Sequence, residues 1–499
     1  MLNLITDPWI PVRRRDGSRD VIRPDQIADL DVLSSDWPRA DLNLACLELL
    51  IGLVFLADPP SDPDDWTTRQ PDPDRLRAAL APLAPAFNLL GDGPRFLQDL
   101  EVLEGEEKPV EILFLDDPGN NSQLKNSDLM VKRDRYRELS PALAAISLYA
   151  LQIYASGGGK GLRTSIRGGG PLVTLVRPAF LSLWELVWAN VPEGDALPPD
   201  YIEELPWMGP SRSSAQGETW TQPEGVGLHP EVFFGMPRRI RLTAVDVLGS
   251  YKIAGVIQRP YGTNYVEWVH PLTPYRFTKG GKSSLKTEVG TFGYRNWKGV
   301  IFLESEHIRV PALQRYLTKR PGQRCDLIVA GWAMKKGQAK ALDFLWSEAP
   351  VFPLDRAGEA QAAALVEAAE HAGYVLALNV KDGVGEGEIT TGAGARVREQ
   401  FFADTQAPFE EMLNRISEGQ GSSVASDWLA ICRRMALGLF DAEVMPGLAD
   451  LSETRRQAAV GARRSLLAAF SGHAGMGKKI YDALNLERPK RGKKQEVAL

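Results

Sequence analysis

The pattern of apolar and polar positions changes character once, near residue 354. Upstream, short apolar runs of mixed period alternate with Pro- and Gly-rich breaks; downstream, apolar residues recur at helical spacing almost to the end. Leu4 to Val12 reads as a strand, closed by a turn at Asp16-Gly17. Asp41 then offers an N-cap to a run that stays apolar to Leu56, which predicts a helix buried all round. Pro59 to Pro73 is punctuated as a loop, and Asp74 to Leu90 is a second helical stretch. Residues 116–137 have no period and carry Lys125, Lys132, Arg133, Arg135 and Arg137, so a long basic loop is expected. Pro141 to Tyr154 returns to helix and delivers the chain to a glycine cluster at 157–170. Pro171 to Val176 then alternates as a strand does.

From about 230 to 332 the pattern is β-rich, with Arg239 to Val247, Lys252 to Gln258 and Leu327 to Trp332 set between Gly and Pro turns. After Phe352-Pro353-Leu354-Asp355 come four amphipathic stretches: Ala360 to Leu378, Ala393 to Ile416, Ser423 to Glu443 and Leu451 to Phe470. Four in succession predict a bundle. The expected class is α+β: a large mixed α/β domain over 1–354, a four-helix bundle over 355–485, and a basic tail over 486–499 expected to be disordered.

Composition narrows the classes. With 499 residues, 44% of them hydrophobic and 24% charged, the chain can bury two or three cores. The apolar run from Leu42 to Ala57 contains Asn43 and Glu48 and is read as too short and polar for a bilayer span. The opening residues lack the pattern of a secretory leader, and Cys46, Cys325 and Cys432 are few and far apart, so a cytoplasmic protein with reduced thiols and no membrane partner is expected. The net charge of −6 is uneven: residues 160–340 hold 24 Lys and Arg against 15 Asp and Glu. A basic middle in an acidic chain fits one face that meets a polyanion.

The glycine cluster is the natural place for that face. Gly157, Gly158 and Gly159 have no Cβ, so their amides can approach a ligand closely, while Lys160, Arg163 and Arg167 supply charge. Catalytic motifs fall short. Gly472 to Lys479 approaches a phosphate-binding loop, but Lys479 stands where a hydroxyl must bind magnesium, and a helix precedes it instead of a strand. Ser283-Ser284-Leu285-Lys286 fits S-x-x-K without the companion motifs. Five scattered histidines and no C-x-x-C leave zinc without ligands. No catalytic residue, metal or cofactor is expected.

Several segments, in order, carry a resemblance. Asn3-Leu4-Ile5-Thr6-Asp7-Pro8-Trp9-Ile10-Pro11-Val12-Arg13, Asp41 to Ala45, Ile166 to Val176, Trp268-Val269-His270-Pro271, and Ala330-Gly331-Trp332 leading to Gln338-Ala339 together resemble the large-subunit (CasA) family of the type I-E CRISPR surveillance complex, Cascade. The resemblance implies a subunit that is no nuclease. It implies recognition of the protospacer-adjacent motif (PAM) in double-stranded target DNA through the minor groove, and opening of the duplex to start an R-loop with the guide RNA (crRNA). It also implies help in recruiting the helicase-nuclease, beside handle-capping, backbone and small subunits. Gly157, Gly158, Gly159 and Lys160 resemble the family's glycine loop, and Gln338-Ala339 its wedge, with Lys335 and Lys336 alongside for phosphates. The family's basic side chain from a β-hairpin falls on Arg259 or Lys252, and Phe114 falls on its guide-handle contact. Some members hold a metal through cysteine pairs that this chain lacks. Two alternatives stand beside this reading: a scaffold that does not read DNA, and a nucleotide-binding enzyme built on Gly472 to Lys479.

Overall fold

The computed structural model describes residues 2–118, 123–126, 128, 134–159, 161–179, 182–195, 198–225, 227–304, 306–335, 340–385, 388–473 and 475–489. It is mixed helix and sheet and divides into two compact units. Met1–Thr291 joins Glu306–Val351 in the first; Phe292–Ser305 joins Phe352–Leu499 in the second. The segment 292–305, read in the sequence as part of the first domain, thus packs with the helices.

At the centre of the first unit is the apolar run, as the helix Ala40–Ala57. Its 18 residues are long and apolar enough to cross a bilayer, contrary to the sequence reading, but 83% of that span is buried inside the protein. Arg39, not Asp41, occupies the N-cap, and Asp41 pairs with it from the first turn at 2.9 Å. Against this core helix packs the helix Pro141–Tyr154, started by Ser140, whose Oγ accepts the Leu143 amide at 3.2 Å. Phe87, Phe96, Tyr149, Trp207 and Phe234 interlock beside them, with ring centroids 5.3–6.4 Å apart.

Three antiparallel ladders matter for the site. Cys325–Met334 is a central strand, with Val173–Pro178 on one side and Ala341–Val351 on the other. Tyr275–Thr278 and Gly281–Ser284 form a hairpin with His307–Ile308 at its edge. Arg239–Val247 and Ser250–Arg259 form a longer hairpin, edged by Glu107–Pro109. The stretch read as helix to Leu90 is helical over Pro73–Leu80 and then tightens to a 3-10 turn at Ala81–Ala86, where Pro82 and Pro85 remove amides.

In the second unit the four predicted helices are Arg356–Val384, Glu388–Ser417, Val424–Val444 and Glu453–Phe470. A fifth, Gly475–Ala483, was not expected. Gly472, at φ +73, ends the helix before it, and Gly475, Gly477, Lys478 and Lys479 are helical, so this stretch is no phosphate loop. Tyr294 and Trp297 enter this core: Tyr294 stacks on Phe409 at 4.2 Å and its hydroxyl lies 2.9 Å from Thr405 Oγ1.

Candidate nucleic-acid interface

The helix Pro141–Tyr154 runs straight into the glycine cluster, and its end is pinned. Ala155 O accepts the Ser165 amide at 2.8 Å, and Arg238 donates from Nη2 to Ser156 O at 2.5 Å. Arg238 is buried, and Gln152 brackets its backbone amide and carbonyl at 3.0 Å each. Burial pushes its pKa down to about 10, and no carboxylate lies within ion-pair distance of it among the described residues. Beyond this anchor Gly157 and Gly159 are exposed, Gly159 at φ +70. A Cβ on Gly157 would meet only the Thr164 methyl, at 3.2 Å. The amides of Gly157, Gly158 and Gly159 donate to no described residue. Space and free donors coincide here.

The second glycine group does different work, because it lets three backbones touch. Gly168 and Gly170 have φ +73 and +61. A Cβ on Gly168 would lie 2.8 Å from Lys286 Nζ, and one on Gly170 would lie 2.6 Å from Trp332 O. Gly331 on the central strand approaches Pro171 O in the same way, at 2.5 Å for its Cβ position. Hydrogen bonds from Leu172 N to Leu285 O (2.9 Å) and Thr287 N to Gly170 O (3.1 Å) close the junction. Glycine loop, Tyr275–Ser284 hairpin and central strand are therefore one packed unit.

Arg167 is the keystone of that unit and not a phosphate ligand, which corrects the sequence reading. Its side chain is buried 2.9 Å from Glu48 Oε2, at the middle of the core helix. Burial works against its charge, but Glu48 outweighs burial and holds the guanidinium above its ordinary pKa. Tyr154 donates to Glu48 Oε1 at 2.7 Å. His270 lies 3.8 Å from Glu48, but burial, with Arg167 adding to it, pushes its pKa well below the ordinary value and leaves it neutral. From above, Lys286 Nζ and Ser284 Oγ both donate to Arg167 O at 2.7 Å.

Between the glycine loop, the hairpin and the end of the central strand lies a cleft of about 640 Å³. Ser156, Gly157, Arg276, Lys286 and Lys335 line it, with Glu288 as an opposing charge. Lys286 is open to the cleft; burial of its ammonium, with Arg167 nearby, pushes its pKa down to about 8. The sequence reading noticed Lys286 only as the end of a failed S-x-x-K, and it missed Arg276 and Arg238. The Gly280-Gly281 pair after Tyr275 to Thr278 was the available signal for the hairpin. Lysine–serine contact exists here, but to Ser284, at 2.8 Å.

The other expected residues scatter. Lys335 is exposed in the cleft, and its amide donates to Lys340 O at 2.8 Å beside the paired strands Cys325–Met334 and Ala341–Val351. Gln338, Ala339, Lys336 and Lys160 lie outside the described residues. Arg163 is spent on Ser214, donating to Oγ at 2.8 Å and to O at 2.9 Å. Lys252 and Arg259 belong to the longer hairpin and do not line the cleft. Phe114 is 3% exposed, stacked on Tyr136 at 4.7 Å and covered by Arg39 and Arg135. Its ring has no free face for a base in this state. Asp116 accepts from both arginines at 3.0–3.4 Å, and although burial opposes it, they hold its carboxyl below the usual range.

Comparison with known proteins bears on the whole of this arrangement. The sequence model of the CRISPR-associated protein Cse1 family matches residues 3–439. Cse1 of Thermobifida fusca superimposes with a TM-score of 0.73 at 18% identity, over 97% of this chain and 98% of that one. Cse1 of Acidimicrobium ferrooxidans gives 0.70 at 19% identity, over 97% and 98%. A chain described as a CRISPR RNA-guided surveillance complex gives 0.69 at 15% identity, over 93% and 99%. At these identities the likeness establishes a common fold.

Proposed function

Because the chain belongs to the CRISPR-associated Cse1 family, the large subunits of type I-E Cascade, we propose that its glycine-lined cleft reads the PAM in duplex DNA and starts strand opening. One observation carries this: unpaired amides at Gly157 to Gly159 lie beside a cleft whose cations are Arg276, Lys286 and Lys335. Bare backbone is thin enough for a minor groove, and its amides match the acceptors presented there. The cations hold the flanking phosphates and supply the sequence-independent part of affinity.

The basic side chain that enters the groove is better assigned to the turn of the cleft hairpin, Lys279 or Lys282, than to Lys252 or Arg259, because that hairpin borders the glycine loop. Gln338-Ala339 lie in the sequence between Lys335 and Lys340, just past the strand packed on Gly170, and are suited to part the first base pairs. Unstacking costs about a few kcal/mol per step, which phosphate contacts offset. Pairing with the guide RNA then supplies sequence specificity. The subunit acts without catalysis of its own, in the cytoplasm, and helps recruit the helicase-nuclease.

The test is Gly158→Leu in the assembled guide-RNA complex. Binding to a duplex target should fall at least about tenfold, while binding to a single-stranded target holds. Equal losses on both would assign the loop a folding role and remove the reading.

A further inference from the structure

The amine of Lys286 is held by the backbone turn beneath it. Its Nζ donates to Arg167 O at 2.7 Å and to Ser284 Oγ at 2.8 Å, while Ser284 Oγ donates to the same Arg167 O at 2.7 Å. Because the serine proton is committed to Arg167 O, the lysine is the donor in its contact with Ser284. Gly168, at φ +73, leaves the room for this, since a Cβ there would stand 2.8 Å from Nζ. A neutral amine has two N–H groups, and here both are placed. Its lone pair then takes the remaining tetrahedral position, on the side open to the cleft of about 640 Å³.

Neutral amine is present at ordinary pH. Burial of the ammonium, with Arg167 adding to it, pushes the pKa down to about 8. About a quarter of the side chains are then neutral at a pH of about 7.5, against ~0.1% for a lysine at its reference value. The charged groups around Nζ are Arg167 from the glycine turn, Arg276 from its own hairpin, Lys335 from the end of the central strand, and Glu288 as the opposing carboxylate. Arg167 is neutralised from below by Glu48. Arg276 and Lys335 are exposed along the cleft walls, so an anionic reagent is drawn to the amine.

We propose that Lys286 is an acylation site for acyl phosphates, and that its acylation switches off duplex binding by the cleft. The second half rests on the reading of the cleft given above. The lone pair of Nζ attacks the acyl carbon, the N–C bond forms as the C–O bond to phosphate breaks, and one amine proton leaves with the departing phosphate. No other reactant is needed. Arg276 and Lys335 hold the phosphate and balance its charge as it leaves. The product amide is uncharged and keeps one N–H in place of two, so the cleft loses a cation.

Treating the full-length chain with acetyl phosphate at neutral pH and mapping the product by mass spectrometry tests the chemistry. Lys286 should be acetylated at least about tenfold faster than the exposed Lys279 and Lys282 of the same hairpin, and its rate should level off above pH 8. A neutral acetyl ester should prefer Lys286 less; an equal preference would remove acyl phosphates as the donor class and overturn the assignment. In the assembled guide-RNA complex, the acetylated subunit should bind duplex target at least about tenfold more weakly, and the same treatment should lower the affinity of Lys286→Arg no further. Acetylation of Lys286 no faster than that of Lys279 and Lys282 overturns the site and leaves the reading of the cleft standing. An equal loss in treated Lys286→Arg places the effect on another lysine and overturns the switch. Complete acetylation of Lys286 with undiminished duplex affinity overturns the switch and the reading of the cleft together.

Discussion

Among single residues, Lys286 is where charge and geometry separate most usefully. Two of its three N–H groups are committed to Arg167 O and Ser284 Oγ, and the third is left to the cleft. With its pKa pushed from 10.5 to about 8, it is charged near neutrality and loses its proton as pH rises past 8. Around it stand Arg167, neutralised by Glu48 below, and Arg276, Lys335 and Glu288 along the cleft walls. Duplex affinity should therefore drop several-fold between pH 7 and 9, and Lys286→Met should bind more weakly but without that pH dependence. Stability moves oppositely: between about 8 and 10.5 the unfolded chain binds the extra proton, so the fold gains stability as pH rises. Binding and thermal melts measured on the same samples distinguish the two effects, and a parallel decline in both would discard Lys286 as a ligand. Residues of this kind were hard to find in the sequence. The glycine cluster announced itself through composition, but Arg167 and Lys286 look alike as letters. Only folding puts one against Glu48 and the other in the cleft.

Elements were more legible than residues, and unevenly so. Helices with strong local signals, such as Pro141–Tyr154 with its Ser140 cap, and the four long ones of the second unit, fell close to their predicted ranges. Arg239–Val247 was found as well, because its inner half alternates. The strand Ala341–Val351 and the cleft hairpin were missed. Their outward faces are exposed, with Leu342, Trp346 and Phe277 among them, so apolar residues do not mark one side. That omission matters, since the cleft hairpin lines the cleft and Lys252 and Arg259 do not. Its turn, Lys279-Gly280, sits between the paired Thr278 and Gly281, and Lys279 and the neighbouring Lys282 are both exposed. Lys279→Ala and Lys282→Ala should each weaken duplex binding and lower the slope of log affinity against log salt by about 1. Lys252→Ala should leave both unchanged. An effect of Lys252→Ala equal to that of the turn lysines would return the groove contact to the longer hairpin.

For the molecule as a whole, the sequence suggested a clean break at 354, and the structure weaves across it. Residues 292–305 lie more than 45 positions before that break in the chain, yet Tyr294, Trp297 and Phe302 are 0%, 1% and 2% exposed among Phe409, Trp428 and their neighbours. Leu303 N donates to Glu359 at 3.0 Å, and Arg295 pairs with Glu399 at 2.6 Å. Periodicity could not reveal this, because a short segment that docks into another core carries no period of its own. The helices need it too: the backbone amide of Tyr294 bonds Gln406, and its ring fills the space between Phe402, Phe409 and Trp428. Cutting the chain after Val351 should therefore not release a well-behaved first unit. Three large aromatic side chains, each worth about 3–5 kcal/mol in its core, would be left in water on a loop tethered at both ends to the first unit. Such a fragment should bind an apolar dye and aggregate, and removing 292–305 with a short Gly-Ser bridge should cure both. A fragment ending at Val351 that stays monomeric and binds no dye would show that the segment folds without the helices.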